Sequence, residues 1–123
     1  MSGPFGAEYY EAEPRVVVLA GGPGVGPAVG IGERAIADDN AVHIVYRATE
    51  PVHETRLSAL DAAGGTVTIT DADGFPAAVD EAVTAAADEQ VFVYGFDAFV
   101  TAATDAIAAA GGDPDAAKVE NFG

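Results

Sequence analysis

The chain predicts an α/β fold: a three-layer sandwich around a five-stranded parallel sheet of order 3-2-1-4-5. Three observations predict it. Short apolar runs rich in Val, Ile and Phe alternate with longer Ala-rich segments, the pattern of strands joined by crossover helices. The first such run, Val16-Val17-Val18-Leu19, leads directly into Ala20-Gly21-Gly22-Pro23-Gly24-Val25-Gly26-Pro27, a glycine turn between a strand and a helix. Glycine pairs at Gly64-Gly65 and Gly111-Gly112 stop two of the helical segments, as glycine does at a helix end.

Taken in order, the first strand spans about residues 15–20, and a helix follows the glycine loop to about Asp38. Pro27 suits the first position of that helix, where its missing N–H costs nothing. Val42 to Arg47 reads as the second strand. Thr49-Glu50-Pro51 opens a second helix that sets Val52, Leu57, Leu60 and Ala63 near one face. Thr66 to Thr70 is the third strand, ended by the turn Asp71-Ala72-Asp73-Gly74, and a helix runs from about Pro76 to Ala87. Val91-Phe92-Val93-Tyr94 is the fourth strand, broken at Gly95. A helix from about Asp97 to Ala110 and a short strand over 117–120 complete the chain. Right-handed crossovers then put the first strand at the centre of a Rossmann-like sheet. Ligands of such sheets bind at the carboxyl ends of the strands, near the switch point between strands one and four.

The composition bounds the chemistry. The 123 residues make one domain, and half are hydrophobic, enough to fold around a core. With no cysteine, disulfides, thiol catalysis and thiolate-ligated metals are excluded within this chain. Neither His43 nor His53 has the spacing or company of a metal ligand; His43 reads as a strand surface residue and His53 as an exposed helical one. No apolar run reaches membrane-spanning length and no signal peptide opens the chain, so a soluble cytoplasmic protein is expected. Twenty acidic residues against five basic ones give a net charge of −15, with Lys118 the single lysine. That disfavours nucleic acid as a partner, and it resembles the acidic proteins of high-salt cytoplasm, whose repulsion is screened.

The glycine loop is the candidate site. Gly21, Gly22, Gly24 and Gly26 lie within six residues, which lets backbone turn sharply and approach a ligand. A strand, such a turn and a helix N-terminus together form an anion site, and a dinucleotide pyrophosphate is a common occupant. The other reading is a turn that simply packs helix on sheet. Gly-x-Gly-x-x-Gly is not completed, because Pro27 stands where its third glycine belongs, and no Gly-Lys-Ser/Thr ends a P-loop.

Over nearly its whole length the chain resembles the nicotinamide-nucleotide domain of the ferredoxin–NADP reductase superfamily. Gly21-Gly22-Pro23-Gly24-Val25-Gly26-Pro27 matches the family's Gly-Gly-Thr-Gly-Ile-x-Pro-like loop. Tyr94-Gly95-Phe96-Asp97-Ala98-Phe99 stands in place of its Cys-Gly-Pro-x-x-Met-like motif, and Glu120-Asn121-Phe122-Gly123 matches a Glu-x-Phe-Gly-like tail. Gly3-Pro4-Phe5-Gly6 is similar to the turn that closes the family's flavin domain. The resemblance implies a nicotinamide-nucleotide domain over 15–123, with 1–14 the remnant of a flavin-domain turn and linker. It departs from the family at Pro23, Tyr94 and Phe96, where Thr, Cys and Pro are usual, and it has no Arg-x-Tyr-Ser-like flavin motif.

The resemblance therefore implies a module that binds NAD(H), with FAD held only by a missing domain or a partner. Its dinucleotide would contact Gly21, Gly22, Pro23, Gly24, Val25 and Gly26 in the loop, Arg47 after the second strand, Asp71 after the third, and Tyr94, Gly95 and Phe96 after the fourth. Arg47 has two readings, a phosphate contact or an ion pair with Glu50 or an acidic turn. Phe96 and Phe99 read as core. Asp71 and Asp73 can accept from a ribose 2′-hydroxyl and repel a 2′-phosphate, so NAD is expected over NADP. A flavin-domain or electron-transfer protein would be the partner; no catalytic side chain or metal ligand is assigned. The alternative is a non-catalytic nucleotide-sensing or partner-binding descendant of the same domain.

Overall fold

The computed structural model describes residues 13–50, 52–84 and 88–121, apart from the side chain of Pro23. The strands are β1 (Arg15–Gly21), β2 (Ala41–Arg47), β3 (Thr66–Thr70), β4 (Glu89–Gly95) and β5 (Lys118–Asn121). The helices are α1 (Val25–Ala37), α2 (Glu54–Ala62), α3 (Phe75–Ala82) and α4 (Asp97–Ala109), and 3-10 turns occupy Gly22–Gly24 and Pro114–Ala116. The sheet is wholly parallel with order β3-β2-β1-β4-β5, so the expected Rossmann-like architecture is the one observed.

β1 is apolar throughout because helices cover both of its faces. Val16, Val18 and Ala20 face α1 and α2, joined by Ile44, Tyr46, Phe92 and Tyr94 from the flanking strands. Val17 and Leu19 face α3 and α4, with Val45, Val93, Phe75 and Phe99. At the amino end of the sheet, Arg15 donates to Glu89 at 2.9 Å and to the Ala82 carbonyl at 3.0 Å, tying β1, β4 and the end of α3 together.

Several boundaries differ from expectation, each for a local reason. α1 begins at Val25, so Pro27 is its third residue, still in the first turn where an N–H has no partner within the helix. α2 begins at Glu54 rather than at Pro51. His53, immediately before it, has φ 59, and the Val52 N–H is held by the Tyr46 hydroxyl at 3.1 Å. Val52 is accordingly 53% exposed rather than on a helix face. α3 stops at Ala82, because the chain is extended at Val83 and Glu89 accepts both the N–H and the hydroxyl of Thr84. The expected flavin-domain turn within residues 1–12, helix end over 85–87 and tail at 122–123 lie outside the described residues.

His43 is half-buried rather than a strand surface residue, with Nε2 3.0 Å from the Thr68 hydroxyl. Burial, and then the charge of Arg15, hold its pKa below the ordinary imidazole value, against a smaller opposite pull from Glu81. The unfolded chain therefore takes up the proton more readily. This contribution to stability is whole above the ordinary imidazole pKa and is lost as pH falls below it. Thermal melts at about pH 7.5 and about pH 5.5 are expected to differ more for wild type than for His43→Gln. Equal differences in the two proteins would remove His43 from the account.

Candidate functional site

The carboxyl ends of β1, β2 and β3 open onto a cavity of about 540 Å³. Gly22 lines it from the glycine turn, Tyr46 to Glu50 and Val52 from the end of β2 and the loop beyond, and Asp71 and Ala72 from the end of β3. Tyr46 is buried, and its hydroxyl bond to Val52 fixes the loop that makes one wall. The Ala48 N–H donates to the Thr70 carbonyl at 3.0 Å and ties the exits of β2 and β3 together.

The loop glycines divide into two kinds. A Cβ on Gly24 would strike the carbonyl oxygen of Tyr94, and one on Gly21 would come within 2.5 Å of the Phe99 ring. Those two glycines let β1, β4 and α4 close together. Gly22 adopts φ +54, and a Cβ on it or on Gly26 would meet nothing within 4 Å beyond its own local backbone and chain neighbours. They leave open space at the end of β1 and the start of α1. The buried Val25 anchors the turn from below, with its N–H on the Gly22 carbonyl.

Arg47 is the cation of the cavity. Its guanidinium carbon lies 4.8 Å from the centre of the Phe99 ring and 5.7 Å from that of Phe75, and it makes no ion pair among the described residues. The alternative expectation, a pair with Glu50 or the acidic turn, is not what the side chain does. Glu50 and Asp71 share the cavity with it. Asp71 Oδ1 accepts the Gly74 N–H at 2.8 Å, so this carboxylate also shapes its own turn.

The expected residues after β4 sit apart. Tyr94 is 3% exposed, with its ring stacked near that of Phe92, 6.4 Å between centres, on the α1 side of the sheet. Gly95 is buried under Phe99, while Phe96, expected in the core, is 51% exposed at the start of α4. Gly22, Arg47 and Asp71 thus line one cavity, and Tyr94, Gly95 and Phe96 do not line it. Tyr46, Val52, Phe75 and Phe99 were not site candidates by sequence. Tyr46 precedes Arg47 at the end of an apolar strand, which was the available signal; the two phenylalanines gave none beyond their hydrophobicity. Among the described residues no three His, Cys, Asp or Glu side chains are grouped to hold a metal ion, and no helix is long and apolar enough to cross a membrane.

Sheet order, crossover helices and a glycine turn at the end of the central strand define a Rossmann-like α/β domain. No family model matches the sequence, and no curated protein matches it. Solved structures do. The chain is similar to the ferredoxin reductase in carbazole 1,9a-dioxygenase (FAD apo form), with a TM-score of 0.76 and 21% identity over 98% of this chain and 40% of that one. It is similar to the Amycolatopsis cytochrome P450 reductase GcoB, with a TM-score of 0.67 and 21% identity over 91% of this chain and 38% of that one. A third is the flavohem-like FAD/NAD-binding domain of nitric oxide dioxygenase from Vibrio cholerae O1 biovar El Tor, with a TM-score of 0.65 and 17% identity over 94% of this chain and 54% of that one. These are likenesses of fold, and the chain spans 38–54% of the length of the three structures.

Proposed function

We propose that this chain is the pyridine-nucleotide module of a flavoprotein oxidoreductase. It holds NAD(H) so that hydride can pass between the nicotinamide and a flavin carried by another domain or polypeptide. The observation that carries the reading is Arg47, a cation without a carboxylate partner among the described residues, set in a cavity with Gly22 at the strand ends. Open backbone at Gly22 and Gly26, with Arg47 lining the same cavity as Gly22, suits a pyrophosphate. Asp71 suits a ribose diol, since its carboxylate has acceptor capacity beyond the Gly74 bond. The nicotinamide end would lie toward Gly95 and Phe96, at the exit of β4. The bound cofactor supplies the hydride chemistry, and the protein supplies position and phosphate electrostatics. An electron-transfer protein downstream is the implied partner, and two of the similar structures are a ferredoxin reductase and a cytochrome P450 reductase.

One feature favours a second reading, a nucleotide-sensing or partner-binding module without hydride transfer. The Tyr94 ring is buried on the α1 side of the sheet where the resembled family has cysteine. Stopped-flow mixing of NADH, the chain and a separately supplied flavin domain separates the two. Binding without flavin reduction fits the sensing module.

The nucleotide itself is tested by competitive titration of NADH and NADPH. The Asp71 carboxylate stands in the cavity, and at ~5 Å and an effective dielectric of 20–80 one pair of like unit charges costs on the order of 1–3 kcal/mol. NADH is therefore expected to bind roughly five- to a hundredfold tighter than NADPH, the gap shrinking as salt rises. Asp71→Ser keeps an oxygen for the Gly74 N–H and should narrow the gap. If NADPH binds wild type as tightly as NADH, Asp71 does not read the ribose; if neither binds, the module reading falls.

A further inference from the structure

The way Arg47 is held deepens that reading, and the inference rests on it. Of the five basic residues, Arg15, Arg56 and Lys118 pair with Glu89, Glu33 and Glu13. Arg47, in a chain with twenty carboxylates, instead lies over aromatic rings. The rings of Phe99 and Phe75 are 5.1 Å apart, inclined at 54°, and both are buried. The Phe99 ring rests in turn on Gly21 and Gly95, where an added Cβ would come within 2.5 and 2.6 Å of it. The ends of the two central strands are thus bare of side chains where the ring sits, and the ring is the seat of the guanidinium.

We propose that Phe99, backed by Phe75, is a positioning residue that presents Arg47 as an anion receptor for the phosphate groups of the nucleotide. A ring face attracts a guanidinium without using any of its N–H donors. A carboxylate partner would take two of those donors in a bidentate pair and cancel the charge. Stacking leaves the donor edge of the planar group for phosphate oxygens, and it holds the guanidinium in place when no ligand is bound. Lysine would serve less well than arginine here, because an ammonium has no plane to stack. The two glycines at the strand ends serve this site through the ring, not by touching a ligand themselves.

The test uses the whole chain and NADH as the probe. Phe99→Leu removes the ring face and Phe99→Tyr retains it, with folding checked by thermal melts. Phe99→Leu is expected to weaken NADH roughly three- to tenfold, from the usual strength of a cation–ring contact, and Phe99→Tyr to restore most of the loss. In an Arg47→Gln background the Phe99→Leu change should have no further effect, which a general packing defect would not produce. The Nε–H resonance of Arg47 in ligand-free wild type should carry a ring-current shift that shrinks in Phe99→Leu, where only the more distant Phe75 ring remains. Additive losses in the double variant, undiminished affinity in Phe99→Leu, or an unshifted Arg47 resonance in wild type would each overturn the proposal. Wild type that binds no NADH would overturn the nucleotide reading itself, and the resonance then still decides whether the ring holds the arginine.

Discussion

Gly24→Ala is expected to melt about 10 °C or more below wild type, from a loss of roughly 3 kcal/mol or more, whatever ligand the protein binds. The cause is backbone against backbone. The new Cβ would meet the carbonyl oxygen of Tyr94, which belongs to β4 beside the central strand and cannot swing aside like a side chain. Relief needs the 3-10 turn to lift from the sheet, and the buried Val25 would lift with it. Gly26→Val is the contrasting variant. Its side chain enters open space, so the melt should stay within a few degrees of wild type. It should nonetheless weaken NADH, because it stands at the start of α1 where a pyrophosphate would lie. Circular dichroism melts of the two variants, followed by NADH titration of Gly26→Val, check both statements. A Gly24→Ala protein that melts with wild type would mean that the turn yields more easily than its packing implies.

Arg47→Gln carries the second large effect, a ten- to hundredfold loss of NADH affinity, as expected for losing a charge-assisted hydrogen bond of about 1.5–3 kcal/mol. The fold should survive, because Arg47 is half-buried and its guanidinium contacts are the two rings. The salt dependence of binding should flatten with the substitution, since the screened attraction has gone. Arg47→Lys should fall between the two proteins, keeping the charge and losing the stack. Isothermal titration at several KCl concentrations gives affinity and salt slope together. Equal affinity in wild type and Arg47→Gln would remove the observation on which the proposed function stands.

The fold was legible because its signals are local and repeated. The run Val16 to Leu19 must be covered on both sides, and glycines mark the helix ends at Gly64 and Gly111. The helix starts were less legible. Glu50-Pro51 reads as a helix opening, yet the Tyr46 hydroxyl holds Val52 and delays α2 to Glu54, a contact between residues that no periodicity relates. The same limit applies at the site. Gly22 and Arg47 could be placed at strand ends from the alternation of elements alone. The role of Gly24 could not, because its reason lies in β4, and the partners of Arg47 come from α3 and α4. Charge was a misleading guide in this chain. Amid so many acids an ion pair was the natural expectation for Arg47, and aromatic rings took its place.

Placing β1 between β2 and β4 has a consequence for how the chain folds as it is made. β2 can pair with β1 early, but the other edge of β1 waits for β4, and Arg15 and Glu89 meet across 74 residues. Until that segment has been synthesised and docked, the most apolar strand presents a bare line of N–H and C=O groups, open to pairing with another chain. Closing so long a loop also makes the β1–β4 pairing a slow step relative to the local helices. Dense negative charge acts during that interval. The acids are spread along the whole sequence, so the incomplete chain is already strongly negative and mutual repulsion keeps unfinished sheets apart. The acidity that leaves the finished domain so few cations thereby protects the nascent one from aggregation.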